Sequence, residues 1–201
     1  MTADIILHRA SLVPVGKDQE QHLEMARNFV NRFNHRYGYV FPEPRAFNYG
    51  SKLVKILGLD GAGKMSKSEN QNATIYLSDT DQQIADKIRK AKTDTGVPNP
   101  DGTKPDFIEN LFTLMRLVSE PSTVQHFEDQ YKAGGIRYGD MKKQLAEDMI
   151  KFIAPIREKA AAIRNDEKFL KEVMEKGAEK ARKSAQATMQ LVREAMGLNY
   201  Y

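Results

Sequence analysis

The sequence predicts a mainly helical fold that begins with part of a parallel α/β sheet. Short apolar runs near the start of the chain end at proline, glycine or charged residues, which is typical of buried strands. One of these runs leads into a stretch that holds three glycines and two lysines. Beyond residue 79, apolar residues recur every three or four positions almost to the end, which is the spacing of amphipathic helices.

Composition limits the class of protein. The 201 residues suffice for one full domain or two small ones, and the absence of cysteine excludes disulfides, thiolate metal sites and cysteine nucleophiles. The sequence has no basic start followed by a long apolar run and no apolar stretch of about eighteen residues, so a cytoplasmic protein without a membrane partner is expected. The net charge of +4 divides into +3 over residues 1–78 and +1 over residues 79–201. Any RNA contact must therefore come from local patches, and no DNA partner is expected.

The first strand is predicted within residues 4–16, where two apolar runs end at Pro-Val-Gly. A helix should follow, because one stripe of its surface would be apolar: Leu23, Ala26, Phe29, Val30 and Phe33. Asp18 and Gln21 are expected to cap the start of that helix. A further strand is predicted over residues 53–57, directly before the glycines and lysines.

The rest of the chain is predicted to be helical. A helix begins near Ser78 and Asp79, and its cations form a solvated face or contact an RNA backbone: Lys87, Arg89, Lys90 and Lys92. Residues 96–105 form a loop, and three further apolar stripes follow from Asp106 to residue 163. A last stripe runs from Leu170 and ends at Gly197. All these stripes are expected to be core.

The lysine loop, residues 58–70, is the part of the sequence where chemistry dictates the residues. Its glycines permit unusual backbone angles, and Lys64 and Lys67 can converge on one polyanion such as a phosphate chain. A Walker-type P-loop would need Ser or Thr where Met65 stands, so that interpretation is disfavoured. A solvated surface loop that merely carries lysines is the other alternative.

The segment Lys64-Met65-Ser66-Lys67-Ser68 resembles the K-M-S-K-S signature of the class I aminoacyl-tRNA synthetases. The resemblance implies an ATP site formed by Lys64, Met65, Ser66 and Lys67, with ATP entering as its Mg²⁺ complex and no tightly bound cofactor. It also implies that Lys64 and Lys67 are catalytic, because their charge would stabilise the pyrophosphate that leaves during amino-acid activation.

Two shorter segments resemble the tryptophan-specific branch of that class. Residues 13–19 are similar to its G-x-D-Q segment, which implies that Gly16 and Asp18 bind the adenosine ribose and that Gln19 lies beside the amino acid. Met1-Thr2-Ala3-Asp4 is similar to its M-x-x-D element, which implies that Asp4 accepts a hydrogen bond from the indole of tryptophan. A helix cap is the alternative role for Asp18, and a cap or turn for Asp4.

Residues 134–143 combine glycines with cationic and aromatic side chains, a mixture that can hold phosphates and stack on bases. The segment resembles part of the anticodon-binding domain of the same enzymes. RNA contacts are therefore predicted for four of its residues: Arg137, Tyr138, Lys142 and Lys143. A plain turn at the entry of a helix is the alternative.

Together these resemblances imply that the chain is the C-terminal part of a synthetase of the tryptophan-specific branch, that is, of a tryptophan–tRNA ligase. Residues 1–78 are expected to form the C-terminal half of a Rossmann-like nucleotide-binding domain, and residues 79–201 an all-α anticodon-binding domain. The substrates would be tryptophan, ATP and tRNA(Trp), and the complete enzyme would be a homodimer. The second signature of the class, H-x-G-H or T-x-G-N, is absent from the sequence, so negligible tryptophan activation is expected from this polypeptide alone. The alternatives are a non-catalytic helical module that binds tRNA or protein, and tyrosine specificity.

Overall fold

A computed structural model describes most of the chain, namely residues 1–47, 54–66, 68, 70–96, 99 and 103–198. The elements are α1 (Thr2–Leu7), β1 (Leu12–Pro14), α2 (Glu20–Tyr37), β2 (Arg45–Phe47), α3 (Asp81–Arg89), α4 (Asp106–Val118), α5 (Pro121–Lys132), α6 (Tyr138–Asn165) and α7 (Glu167–Met196). Short 3₁₀ helices lie at Lys17–Gln19 and Gln71–Ala73.

The chain forms two compact units. The first unit comprises Met1–Leu53 and Glu167–Tyr201, and the second comprises Val54–Asp166. The predicted functional division between residues 78 and 79 follows neither unit boundary and stays a prediction.

The first unit contains a small parallel sheet. Strands β1 and β2 pair in parallel, with Leu12 opposite Arg45 and Pro14 opposite Phe47. The predicted fold class, mainly helical with a parallel α/β part, is confirmed. The expected burial of the first strand is wrong in this structure, since Leu12 is 58% exposed. Within the described residues the sheet consists of two strands of three residues, which offer little surface for other elements to cover.

A strand was predicted within residues 4–16. Its part before Pro-Val-Gly is confirmed as β1, whereas the start of this stretch is helical. Residues 2–7 form α1, which places Ile5 against Leu23 and Ala26 of α2. The chain then turns at Arg9, whose φ is +51°. The first apolar run is therefore not part of the strand, because Ile5 is buried by contact with a neighbouring helix and not by strand pairing.

Helix α2 lies where the apolar stripe predicted it, with Leu23, Ala26 and Val30 buried. The predicted capping by Asp18 and Gln21 is wrong. The residue that precedes α2 is Gln19, which makes no capping hydrogen bond through its side chain. The 3₁₀ helix Lys17–Gln19 runs directly into α2, so the backbone is already helical where the cap was expected.

The second unit is a helical core on which the lysine loop rests. Helices α3 to α6 bury one continuous apolar cluster that includes Ile84, Ile88, Ile108, Leu111, Phe112, Met115, Met141, Leu145 and Ile153. The stripes predicted for these helices are confirmed as core up to Ile153. The expectation is wrong for the second half of α6, where Phe152, Ile156 and Ile163 are exposed. Helix α3 begins with a capping box in which Thr80 and Gln83 exchange side-chain and backbone hydrogen bonds.

The strand predicted over residues 53–57 is wrong for its described part. Residue 53 lies outside the described residues, and Leu57 forms only an isolated antiparallel bridge with Lys64. The side chain of Asn110, in α4, makes the hydrogen bonds to the backbone of Leu57 that a neighbouring strand would make.

Helix α7 ends at Gly197 as predicted, with φ of +70° at that glycine. Its stripe is core only in part. Val192 and Ala195 pack near Val40 in an apolar cluster of the first unit. Met174, in contrast, is 72% exposed, so the expectation that the whole stripe is core is wrong within this chain.

Candidate functional site

A tight antiparallel hairpin, residues 56–65, leads into the lysine loop and includes its first residues. The backbone N–H of Met65 donates to the carbonyl oxygen of Ile56 at 3.0 Å, and that of Gly58 donates to Gly63 at 3.3 Å. Leu57 and Lys64 face each other between these two bonds. The pairing fixes the backbone of Lys64 at the base of the loop, while its side chain is exposed to solvent.

Glycine is required at the turn of the hairpin. Gly61 has φ of +74°, a left-handed conformation that side chains rarely adopt. A Cβ atom at this position would also lie 2.7 Å from Cβ of Phe107, on α4. The loop therefore sits in van der Waals contact with the helical core at its tip.

A side-chain hydrogen bond ties the start of the lysine loop to its end. Asp60 accepts from the backbone N–H of Ala62 at 3.0 Å and from Nδ2 of Asn70 at 2.8 Å. These two donors lower the pKa of the Asp60 carboxyl from its ordinary value, the bond from Ala62 most. Because Asn70 follows the K-M-S-K-S segment, the bond holds the two ends of that segment together.

Thr74 anchors the far side of the loop. Its Oγ1 lies 3.0 Å from the carbonyl oxygen of Ser66 and 3.1 Å from that of Asn70, and the residue is buried. The Ser66 hydroxyl in turn lies 3.1 Å from the hydroxyl of Ser68. Lys67 falls outside the described residues, so its predicted convergence with Lys64 stays a prediction.

The segment after the loop is fixed by a buried ion pair. Nζ of Lys87 donates to Oδ2 of Asp79 at 2.7 Å and to the carbonyl oxygen of Thr74 at 2.8 Å. Arg157 of α6 adds bonds to the carbonyl oxygen of Asp79 and to the carboxylate of Asp81. The interpretation of Lys87 as part of a solvated face is therefore wrong, because its ammonium group is held between Asp79 and the backbone.

The described part of the loop encloses a small recess. Its volume is about 170 Å³, and it is lined by Gly58, Asp60, Ala62, Lys64, Asn70, Ala73 and Thr74. Among the described residues Lys64 forms no salt bridge. The Asp60 carboxylate is occupied by the Ala62 N–H and the Asn70 amide. Among the described residues, the recess therefore offers an anion one ammonium group, that of Lys64, which has no salt-bridge partner.

Three of the predicted nucleotide and amino-acid residues lie together in the first unit, after the carboxyl end of β1. The backbone N–H of Gln19 donates to the carbonyl oxygen of Gly16 at 3.0 Å. Nε2 of Gln19 donates to Oδ2 of Asp18 at 2.9 Å. A Cβ atom on Gly16 would lie 2.7 Å from Oδ1 of Asp18, so glycine allows the carboxylate to approach the backbone here.

Asp4 lies in the first turn of α1 and is exposed. Its carboxylate is 2.9 Å from the amino group of Met1. The hydrogen bond and the positive charge of that amino group lower the pKa of Asp4 from its ordinary value. Nothing in these contacts tests the predicted role toward indole, which stays a prediction.

The four predicted RNA-binding residues divide into two kinds. Tyr138 donates from its hydroxyl to Oδ1 of Asp94 at 2.6 Å, and Lys142 donates from Nζ to the carbonyl oxygen of Ala91 at 2.6 Å. Burial raises the pKa of Tyr138, with a further contribution from the Asp94 carboxylate, and burial lowers the pKa of Lys142. Arg137 and Lys143 are exposed.

Several residues of the site were not predicted from the sequence. Asn110, Asn70 and Thr74 hold the lysine loop through bonds to its backbone or to Asp60. Only Asn110 left a signal in the sequence, since a polar residue directly before Leu111 interrupts an apolar helix face. The described residues include no cluster of three or more His, Asp or Glu that could hold a metal ion. Within the same residues no helix is long and apolar enough to cross a membrane.

Comparison with protein families gives one match over most of the chain. Residues 1–154 match the family described as tRNA synthetases class I (W and Y). A tryptophan–tRNA ligase of Porphyromonas gingivalis is 50% identical over 198 residues, which cover 98% of this chain and 60% of the relative. One from Helicobacter pylori is 42% identical over 202 residues and is covered to the same extent. The chain thus spans about 60% of the length of these curated relatives.

Solved structures give the same result. The tryptophanyl-tRNA synthetase of Campylobacter jejuni, in complex with ADP and tryptophan, superposes with a TM-score of 0.80 at 33% identity. The match covers 98% of this chain and 60% of that structure. The enzyme from Mycoplasma pneumoniae superposes with a TM-score of 0.73 at 29% identity and is covered to 59%.

Proposed function

This chain belongs to the class I tRNA synthetases of the tryptophan and tyrosine type, and from that premise we propose that its lysine loop binds the triphosphate of ATP in a tryptophan–tRNA ligase. One observation carries the proposal. The hairpin holds Lys64 beside a recess, and among the described residues the ammonium group of Lys64 has no salt-bridge partner. The names and identities of the relatives support tryptophan as the amino acid.

In the proposed reaction the carboxylate of tryptophan attacks the α-phosphorus of ATP, and pyrophosphate leaves. Negative charge builds on the leaving group, and Lys64 with Lys67 would stabilise it through their ammonium groups. Preorganised donors of this kind are usually the largest catalytic contribution, and losing one typically costs about 10²–10³ in rate. Mg²⁺ would arrive with ATP as part of the co-substrate and neutralise further phosphate charge.

Met65 and Ser66 would contribute to the ATP site through the backbone. Met65 pairs with Ile56 in the hairpin, and the carbonyl oxygen of Ser66 is engaged by Thr74. Both contacts restrict the segment in which Lys64 lies. A restricted loop loses less conformational entropy when it binds a ligand, which favours affinity.

The residues after β1 would bind the rest of the substrate. Gly16 and Asp18 are proposed to hold the ribose of ATP, and Gln19 and Asp4 to contact tryptophan. The position of the first three supports this role, because open parallel sheets bind nucleotides in loops that leave the carboxyl ends of their strands. The mutual contacts of Gly16, Asp18 and Gln19 support the binding of ATP and tryptophan side by side.

The helical residues are proposed to serve tRNA(Trp), the acceptor of the activated amino acid. Arg137 and Lys143 are the candidates for phosphate contact, since both are exposed. Tyr138 and Lys142 would act indirectly. Their bonds to Asp94 and to the carbonyl oxygen of Ala91 would hold the start of α6, where Arg137 and Lys143 lie. The complete enzyme is proposed to work as a homodimer.

The proposal is tested by ATP binding to this chain, measured by isothermal titration calorimetry. Lys64→Ala should weaken binding by about tenfold or more, since a lost charged hydrogen bond corresponds to about 1.5–3 kcal/mol. Lys55→Ala is the matched control, because Lys55 is exposed just before the hairpin. Equal affinity of the Lys64 variant and the wild type would overturn the proposed role and favour a non-catalytic binding module.

A further inference from the structure

Asn110 is a polar residue in the most apolar part of the second unit. It lies in α4 beside Ile108 and Leu111, and only 4% of its surface is exposed. Burying an amide without hydrogen bonds costs several kcal/mol in an apolar environment. A residue of this kind therefore needs partners, and its partners indicate what it does.

Both polar atoms of the Asn110 side chain bond to one residue, Leu57, which lies directly before the lysine loop. The backbone N–H of Leu57 donates to Oδ1 at 2.8 Å, and Nδ2 donates to the carbonyl oxygen of Leu57 at 3.0 Å. The two residues are 53 positions apart in sequence. The side chain thus pairs with the Leu57 backbone as a neighbouring strand would.

The geometry of the hairpin explains why these groups of Leu57 are available. The hairpin bonds run from Met65 to Ile56 and from Gly58 to Gly63, on either side of the Leu57 and Lys64 pair. In an antiparallel ladder such a pair is not hydrogen-bonded internally, so its own N–H and C=O groups face outward. Asn110 occupies the outer edge on the Leu57 side.

We propose that Asn110 is a positioning residue for Lys64, acting through Leu57. The amide fixes the edge of the hairpin on α4, and the hairpin pairing carries that constraint to the backbone of Lys64. The lysine ammonium group is thereby held at the recess before a polyphosphate arrives. This inference rests on the proposed function of the lysine loop and adds the residue that sets its geometry.

Asn110→Asp tests the proposal because it changes one donor and almost no volume. An ionised carboxylate still accepts from Leu57 N–H but cannot donate to the Leu57 carbonyl oxygen, so two oxygens face each other. A protonated carboxyl restores the donor, and burial raises the pKa of such a group. The Asn110→Asp variant is therefore expected to bind ATP more weakly than wild type at high pH and to regain affinity as the pH falls.

The measurement is the ratio of ATP dissociation constants, variant to wild type, between pH 8 and pH 5. We expect the ratio for Asn110→Asp to be about ten at the high-pH end and to return toward one at the low-pH end. Asn72→Asp is the matched control, because it adds the same charge at an exposed position in the 3₁₀ helix that follows the lysine loop. Its ratio should not recover in this way.

Hydrogen exchange of residues 54–66 gives a second measurement that needs no ligand. The Gly58 and Met65 amides should exchange faster in Asn110→Asp than in wild type at the high-pH end, and at similar rates at the low-pH end. Wild-type affinity and protection at high pH would overturn the inference. So would a binding defect that persists at low pH, or loss of the helical circular dichroism signal, since either would assign Asn110 to the core alone.

The two proposals fail in different ways. If Lys64→Ala binds ATP as wild type does, the proposed function fails, and the positioning role fails with it. If Lys64→Ala is defective and Asn110→Asp is not, only the positioning role is overturned.

Discussion

At the scale of single residues, the lysine loop shows which of its features could be predicted. The spacing of Lys64 and Lys67 in the K-M-S-K-S segment predicts a phosphate site from the sequence alone, and the site stays a prediction. The residues that hold that segment could not be identified in the same way. Asn110 and Thr74 act through side-chain bonds to backbone atoms over 53 and 8 positions. A polar residue in an apolar helix face marks Asn110, but no local pattern shows which backbone atoms either side chain bonds to.

Gly61 makes a prediction at this scale. Replacing it with alanine should destabilise the fold by about 1–3 kcal/mol, because the left-handed φ and the short approach to Phe107 both oppose a Cβ atom. Thermal unfolding followed by circular dichroism would measure the loss. Gly135→Ala is the control, since a Cβ atom there meets nothing within 4 Å. Equal melting temperatures for Gly61→Ala and wild type would contradict the described packing of the loop on α4.

At the scale of elements, helices were predicted well and strands poorly. Helices α2 to α6 bury apolar stripes whose period is visible in the sequence. The three residues of β2 are all exposed and contain no apolar run, so nothing distinguished them as a strand. Helix α1 was missed for a different reason. Its residues do contain a short apolar run, but such a run fits a strand and a buried helix equally well.

The contact between α4 and α5 predicts a dependence on pH. Burial alone would raise the pKa of Glu128, but the hydrogen bond from Arg116 and the charges of Lys104 and Arg116 outweigh it, and the pKa falls below 4.5. A carboxyl group whose pKa is lower in the folded than in the unfolded state stabilises the fold at pH values above its unfolded-state pKa. That stabilisation is lost as the pH falls through the folded value.

The stability of wild type should therefore decline more steeply below pH 4.5 than that of Glu128→Gln, which lacks the ionisable group. Melting temperatures measured across this range should show that the advantage of wild type over Glu128→Gln becomes smaller as the pH falls. Glu147→Gln, at an exposed position on α6, serves as the control and should follow wild type. A constant difference between wild type and Glu128→Gln would refute the assigned ion pairs.

At the scale of the whole molecule, the chain combines a complete helical core with surfaces that expose apolar side chains. Leu117 and Phe152 in the second unit are each about half exposed, as is Val173 in the first. Periodicity predicted which residues would be apolar, but it could not predict which of them this chain leaves uncovered. Full aminoacylation is proposed for the complete enzyme, and tryptophan activation by this polypeptide alone is expected to be negligible. Binding is therefore the property of this chain that is best measured.

The central claim is that Lys64 contacts the phosphates of ATP. Acylation of all lysines in the intact chain, with and without ATP and Mg²⁺, followed by mass spectrometry, tests it most directly. The account predicts that ATP lowers the reactivity of Lys64 and leaves exposed Lys55 unchanged. A Lys64 that reacts equally fast in the presence of saturating ATP would contradict it.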